Sequence, residues 1–166
     1  MQCNAADGLF TKPSTFLKEK IGGGMAAKTT LRWIDGKHFV GIDSTHHSVV
    51  LSGQSDGIGV KPSEMLLIAL SACSAVDVVQ ILEKKRIALS FLEVVTTADQ
   101  DHEPPWTFRK IHLVYRLAGD DLTPKAVEQA ITLSQEKYCS VGATLRSVPQ
   151  ITTEYVIQPE KNSNPG

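Results

Sequence analysis

From Met65 to Leu82 the chain reads MLLIALSACSAVDVVQIL, and the fold turns on whether this run crosses a membrane or lies inside a protein. Its length is near the ~18 residues a spanning helix needs. Ser71, Ser74, Asp77 and Gln80 interrupt it, however, and a carboxylate near the middle costs about 2.5–3.5 kcal/mol in lipid. Gly53, Asp56, Gly57 and Gly59 precede it, and Glu83 to Arg86 follow it, as ordinary water-facing ends. The run is therefore read as a buried helix that opens at Pro62, where proline suits a first turn, and runs to about Lys85. No membrane partner is expected. Because it is apolar nearly all round, it must be covered on most sides. A single domain of this size does not supply that cover alone, so a second copy of the chain is expected to supply part of it.

On either side of this helix the pattern changes to strands. Lys28 to Ile34 alternates apolar and polar residues as a half-buried strand does. Asp35-Gly36 is a hairpin turn signal, and His38 to Asp43 and His47 to Ser52 read as two further strands. After the helix, Ser90 to Ala98 and Phe108 to Leu117 are strand-like and are split by Pro104-Pro105. Thr123 and Pro124 mark a second helix as N-cap and first helical residue; it ends near Tyr138. A short helical stretch follows from Ser140 to Arg146, and Ile151 to Ile157 reads as a closing strand. Strands broken by helices with few parallel crossovers predict an α+β class. Residues 1–27 are read as an N-terminal extension, 28–158 as the domain and 159–166 as a polar tail.

Composition excludes several functions. The 166 residues carry a net charge of −1 and are 42% hydrophobic. There is no basic stripe for nucleic acid and no acidic run for a disordered tail. Cys3, Cys73 and Cys139 are too few and too scattered for a secreted disulfide scaffold. No apolar leader is recognisable in residues 1–24, so a cytoplasmic location is expected. His38, His46, His47, His102 and His112 lack metal-ligand spacing, and Gly57-Ile58-Gly59 does not make a dinucleotide loop. No bound metal or cofactor is expected.

Two cysteine motifs remain. Lys61-Pro62-Ser63-Glu64-Met65-Leu66-Leu67 leads through Ser71-Ala72 to Cys73. Glu136-Lys137-Tyr138 leads to Cys139, followed by Ser140-Val141-Gly142-Ala143, with 66 positions between the two cysteines. By itself a cysteine in an apolar helix reads as a small inert hydrophobe. Together, and in this order, the motifs resemble the OsmC/Ohr family over roughly Lys28 to Gln158. The resemblance implies an antiparallel sheet with a long central buried helix, in an intertwined homodimer whose two sites lie at the subunit interface. It also implies reduction of organic hydroperoxides, with an external dithiol, in some members lipoyl, as the reductant.

The chemistry then follows from thiols. A free cysteine with pKa near ~8.5 is only about 3% ionised at pH 7. Cys73 sits mid-helix, far from the helix N-terminus, so its activation is expected to need a cation, an arginine brought by another segment. Arg32 is the candidate by location. Cys139 precedes a short helix whose free N–H groups would favour its thiolate. Cys73 is taken as the residue that attacks the peroxide and becomes a sulfenic acid, and Cys139 as the one that condenses with it to a disulfide. An apolar lining from Leu66, Ile68, Ala69, Ala72 and Val76 would favour greasy peroxides.

This chain also departs from the family. The carboxylate that directly follows proline in peroxide-reducing members is Ser63 here, and Glu64 stands nine residues before Cys73. At ~100° per residue, nine steps place it about 180° round the helix from Cys73 rather than about 280°. A different class of function therefore stays open: a non-catalytic dimeric protein of the same fold that holds a small apolar ligand or acts in stress.

Overall fold

Residues 27–54, 57–147, 151–153 and 155 are described by a computed structural model. They divide into two compact units after Gly59. The first holds strands β1 (Thr30–Asp35), β2 (His38–Ile42) and β3 (Ser48–Ser52), paired antiparallel in that order. The turn after β1 forms where Asp35-Gly36 predicts it. Gly36 takes φ +43°, a left-handed value that side chains disfavour. The Trp33 indole N–H donates to the Gly36 carbonyl over 3.0 Å, and His38 Nδ1 lies 2.7 Å from Asp35 Oδ1. The expected half-burial of β1 is not found. In the single chain all six of its residues are exposed.

The second unit opens with the long helix α1 (Pro62–Lys84), one residue short of the expected end. It has Pro62 in its first turn and is long and apolar enough to cross a membrane by length and composition. Its buried residues are Leu70, Ser74, Val78, Ile81 and Leu82, a seam at helical spacing. Two 12-residue strands follow, β4 (Leu89–Gln100) and β5 (Phe108–Gly119), paired antiparallel along their whole length. Alternate residues such as Val94, Thr96, Leu113 and Tyr115 are drawn inward while their neighbours stay exposed. On the outer face Glu93 and Arg116 pair across the ribbon at 2.7 Å.

Helix α2 (Pro124–Leu133) begins as its sequence predicts, with the Thr123 side chain accepting from the Ala126 N–H. It widens into a π-helical turn over Ser134–Tyr138, stops, and restarts as α3 (Ser140–Arg146). The core of the unit joins Val78, Ile81 and Leu82 of α1 to Ala126 and Ala130 of α2, with Leu89, Tyr115 and Leu117 of the ribbon packed against it.

Within one chain α1 is covered on one side only: Ile68 is 50% and Val76 55% exposed. One expectation is corrected here. The closing strand is not formed at residues 151–153 or 155, where Ile151 and Tyr155 are 83% and 85% exposed and have no pairing partner among the described residues. The rest of that run, and residues 1–26 with Cys3, lie outside the described residues. The fold is α+β, with antiparallel sheets and one long helix.

Candidate functional site

Cys73 and Asp77 are four residues apart on α1, so they share a face beside the buried seam of Leu70, Ser74 and Val78. The π-helical turn brings Cys139 to the same place. The wider turn lets the Cys139 N–H reach back to the Ser134 carbonyl at 2.8 Å and leaves Cys139 in extended conformation as the N-cap of α3. The two sulfurs and an Asp77 carboxylate oxygen all lie within 4.8 Å of one another. Both thiols are free; Cys73 is half-buried and Cys139 is 3% exposed.

The first N–H groups of a helix have no partner within it, and those of α3 are shared between the two sulfurs. The Gly142 N–H donates to Cys139 Sγ at 3.3 Å, and Cys73 Sγ lies 3.8 Å from the Ser140 hydroxyl. Burial works against the Cys73 thiolate. The Val141 N–H, the Cys139 thiol, and the hydroxyl and N–H of Ser140 outweigh it and hold the Cys73 thiol below its ordinary range. Burial pushes the Cys139 thiol up; the Gly142 N–H eases this, but the neighbouring Cys73 and the Asp77 charge push it further up. The expectation that the N–H groups of α3 favour the Cys139 thiolate is thereby corrected. Helix α3 begins after Cys139 but serves mainly the thiolate of Cys73.

Behind the sulfurs runs a chain of hydroxyls that sequence reasoning missed. Ser134 donates to Asp77 Oδ2 at 2.9 Å, Ser74 lies 2.9 Å from Ser134, and the Tyr115 hydroxyl lies 2.5 Å from Ser74. Each hydroxyl has one proton and an ionised carboxylate only accepts. The direction therefore runs from Tyr115 through Ser74 and Ser134 to Asp77. Ser74 and Ser134 are fully buried and every polar atom in the chain is satisfied.

A cavity of about 600 Å³ reaches Cys139. Leu70, Leu113 and Leu145 supply apolar walls, and Arg109, His112 and Arg146 supply polar ones. Of these, Arg146 shares Gly142 as a neighbour with Cys139. A Cβ on Gly142 would sit 3.3 Å from Cys139 Sγ and 3.4 Å from Arg146 Nη1, so the guanidinium and the sulfur flank this glycine together. Arg146 also donates to the Gln135 carbonyl. Its position two turns after Cys139 on a helix was the available signal.

Of the other sequence candidates, Glu64 stands apart from the sulfurs. Glu64 is in the exposed first turn of α1, ion-paired with Lys61 at 3.2 Å. Nine residues of helix rise, about 13.5 Å, separate it from Cys73. Arg32 lies on β1, in the other compact unit. In the single chain α1 turns Leu70 and Ser74, not the expected Leu66, Ile68, Ala69, Ala72 and Val76, toward the cavity at Cys139. Glu64, Ile68 and Ala72 instead border a second cavity of about 690 Å³ between α1 and β4.

An α+β unit in which a long helix and an N-capping residue each present a cysteine to one small site defines a class of two-cysteine domains. Comparison with known proteins places the chain within it. The family model for OsmC-like proteins matches residues 53–154. The protein YhfA of Escherichia coli K12 is 38% identical over 127 residues, spanning 76% of this chain and 95% of YhfA. A hypothetical protein from Aquifex aeolicus VF5 of known structure is 29% identical, with a TM-score of 0.67 over 74% of this chain and 89% of that one. An OsmC-like protein from Mycoplasma pneumoniae shares the fold at 18% identity, with a TM-score of 0.65 over 75% and 89% of the two chains. The chain belongs to the OsmC-like family, whose wider membership includes peroxidases.

Proposed function

We propose that this protein is a thiol-dependent peroxidase that reduces organic hydroperoxides through Cys73 and Cys139. The observation that carries the reading is the convergence of the two sulfurs within 4.8 Å, from residues 66 positions apart. A disulfide needs the sulfurs at ~2.05 Å, a closure that side-chain and local backbone movement at an N-cap can supply.

In the first step the Cys73 thiolate attacks the outer peroxide oxygen, the O–O bond breaks, and the alkoxide leaves as an alcohol after taking a proton. Cys73 is then a sulfenic acid. In the second step Cys139 gives up its proton, attacks the Cys73 sulfur and displaces hydroxide, which leaves as water. An external dithiol of lipoyl type exchanges the disulfide back to two thiols and is itself oxidised. The cavity at Cys139 has apolar walls from Leu70, Leu113 and Leu145 that could receive part of a substrate's apolar body.

The proposal includes a homodimer in the cytoplasm. The exposed apolar stripe of Leu66, Ile68 and Val76 on α1 supports a second copy as its cover. Treatment of the reduced protein with tert-butyl hydroperoxide should remove two thiols per chain, and Cys73→Ser should abolish the loss. Thiols that stay reduced would instead favour a ligand-holding protein of the same fold.

A further inference from the structure

We propose that Cys73, Cys139 and Asp77 form a binding site for Zn²⁺. The three donor atoms lie within 4.8 Å of one another. Tetrahedral zinc with Zn–S bonds of ~2.3 Å places two sulfurs about 3.8 Å apart, and Zn–O bonds are ~2.0–2.2 Å. The donors therefore need to contract by no more than about 1 Å. Cys73 and Asp77 stand at i and i+4 on α1, the spacing at which one helix face offers two ligands to one metal. Cys139 completes the set from the N-cap of α3.

A second observation is independent of the distances. Asp77 makes no ion pair among the described residues, and the hydrogen bond it accepts is from the Ser134 hydroxyl. A partly buried carboxylate without a cation, beside two groups that become anions on ionising, is a concentration of like charge. Arg146 donates to the Gln135 carbonyl and makes no ion pair with Asp77 among the described residues. One divalent cation among the three donors would neutralise the charge. The donor set of two sulfurs and one carboxylate oxygen suits zinc, whereas magnesium and calcium take oxygen ligands. Ser134 would then orient the ligating carboxylate, with Ser74 and Tyr115 behind it, as outer partners do in zinc sites. Three protein ligands leave a fourth position for water.

This inference does not rest on the peroxidase reading, but it bears on it. Sulfurs bound to zinc are masked from a hydroperoxide. If hydroperoxide does oxidise the loaded pair, the two thiolates form one S–S bond and yield two electrons. The hydroperoxide takes these with two protons and gives an alcohol and water, and zinc is released.

The test uses the full-length chain with Cys3→Ser, reduced and metal-free, with Co²⁺ as the spectroscopic probe. One Co²⁺ per chain should bind with thiolate-to-cobalt charge-transfer absorption and tetrahedral visible bands. Zn²⁺ should displace it and mask two thiols from a thiol reagent. Asp77→Asn should weaken binding by at least about tenfold, since replacing even an outer partner costs about 10–100-fold. Cys73→Ser, at a half-buried position, should lose one sulfur's share of the charge-transfer band. Absence of that band overturns the site. So does zinc bound with both thiols still reactive, or undiminished affinity in Asp77→Asn. A metal-free chain that ignores tert-butyl hydroperoxide yet binds zinc defeats the peroxidase reading alone; one that oxidises but binds no zinc defeats this inference alone.

Discussion

Cys73 and Cys139 divide the N–H groups at the start of α3, Ser140 and Val141 serving Cys73 and Gly142 serving Cys139, and their surroundings push them in opposite directions. Cys73 receives several donors on a half-buried sulfur, while Cys139 meets burial, a neighbouring thiol and the Asp77 carboxylate. A thiolate forms as pH rises through the thiol's pKa, so the Cys73 anion should be present at lower pH than that of an ordinary cysteine, and the Cys139 anion only at higher pH. Alkylation of the metal-free Cys3→Ser protein by iodoacetamide, followed residue by residue against pH, should show the Cys73 midpoint below that of Cys139. Coincident midpoints would contradict this account. The hydroxyl chain makes a separate prediction. Ser134→Ala leaves Asp77 without its donor and Ser74 without its acceptor in a fully buried place. It should cost roughly 1–3 kcal/mol in urea unfolding of the reduced protein; an unchanged midpoint would show that the chain carries little energy.

Two short departures from regularity do most to build the site at the level of elements. The π-helical turn at Ser134–Tyr138 shifts the chain so that Ser134 points inward to Asp77 and Cys139 becomes an N-cap. The second departure is the close approach of α3 to α1 at Gly142. A Cβ there would be 3.5 Å from Leu70 Cδ1 as well as tight against Cys139 Sγ and Arg146 Nη1. Gly142→Val adds further methyl groups to a space that barely admits one. It should lower stability by about 1–3 kcal/mol through overpacking and slow disulfide formation between Cys73 and Cys139. Wild-type rates of thiol loss in this variant would mean that the glycine is not holding the geometry. The apolar run and the Pro62 and Thr123-Pro124 signals made α1 and the start of α2 legible from the residues. The π turn was not legible, because Ser134 to Tyr138 has ordinary helical composition and the extra residue per turn is set by what Ser134 and Cys139 meet in space.

For the molecule as a whole, a helix that is apolar nearly all round and covered on one side has unfinished burial. Ile68, Ala72 and Val76 stand at successive i+4 positions, and all are exposed in the single chain. Burying such a stripe is favourable by roughly 25 cal/mol per Å² of apolar surface, which is the physical basis for expecting a second copy. Sedimentation equilibrium should therefore give twice the chain mass, and Val76→Arg should shift the population to monomer by placing a charge in the covered face. A wild-type monomer at micromolar concentration would remove the dimer from the proposal.

Read alone, the sequence determined the element order from β1 to α3, the antiparallel α+β class and membership of the OsmC-like family. Those properties follow from local periodicity, capping and two cysteine motifs, all of which are written along the chain. Which N–H groups meet which sulfur was decided only by tertiary structure. Cys139 and Arg146 both flank Gly142, Glu64 stays with Lys61, and Tyr115, Ser74, Ser134 and Asp77 join into one hydrogen-bonded line. Hydrogen bonds and charge act over a few ångströms of space, and residues from β5, α1 and the π turn come within that range only when the core of Val78, Leu82 and Ala130 packs them together.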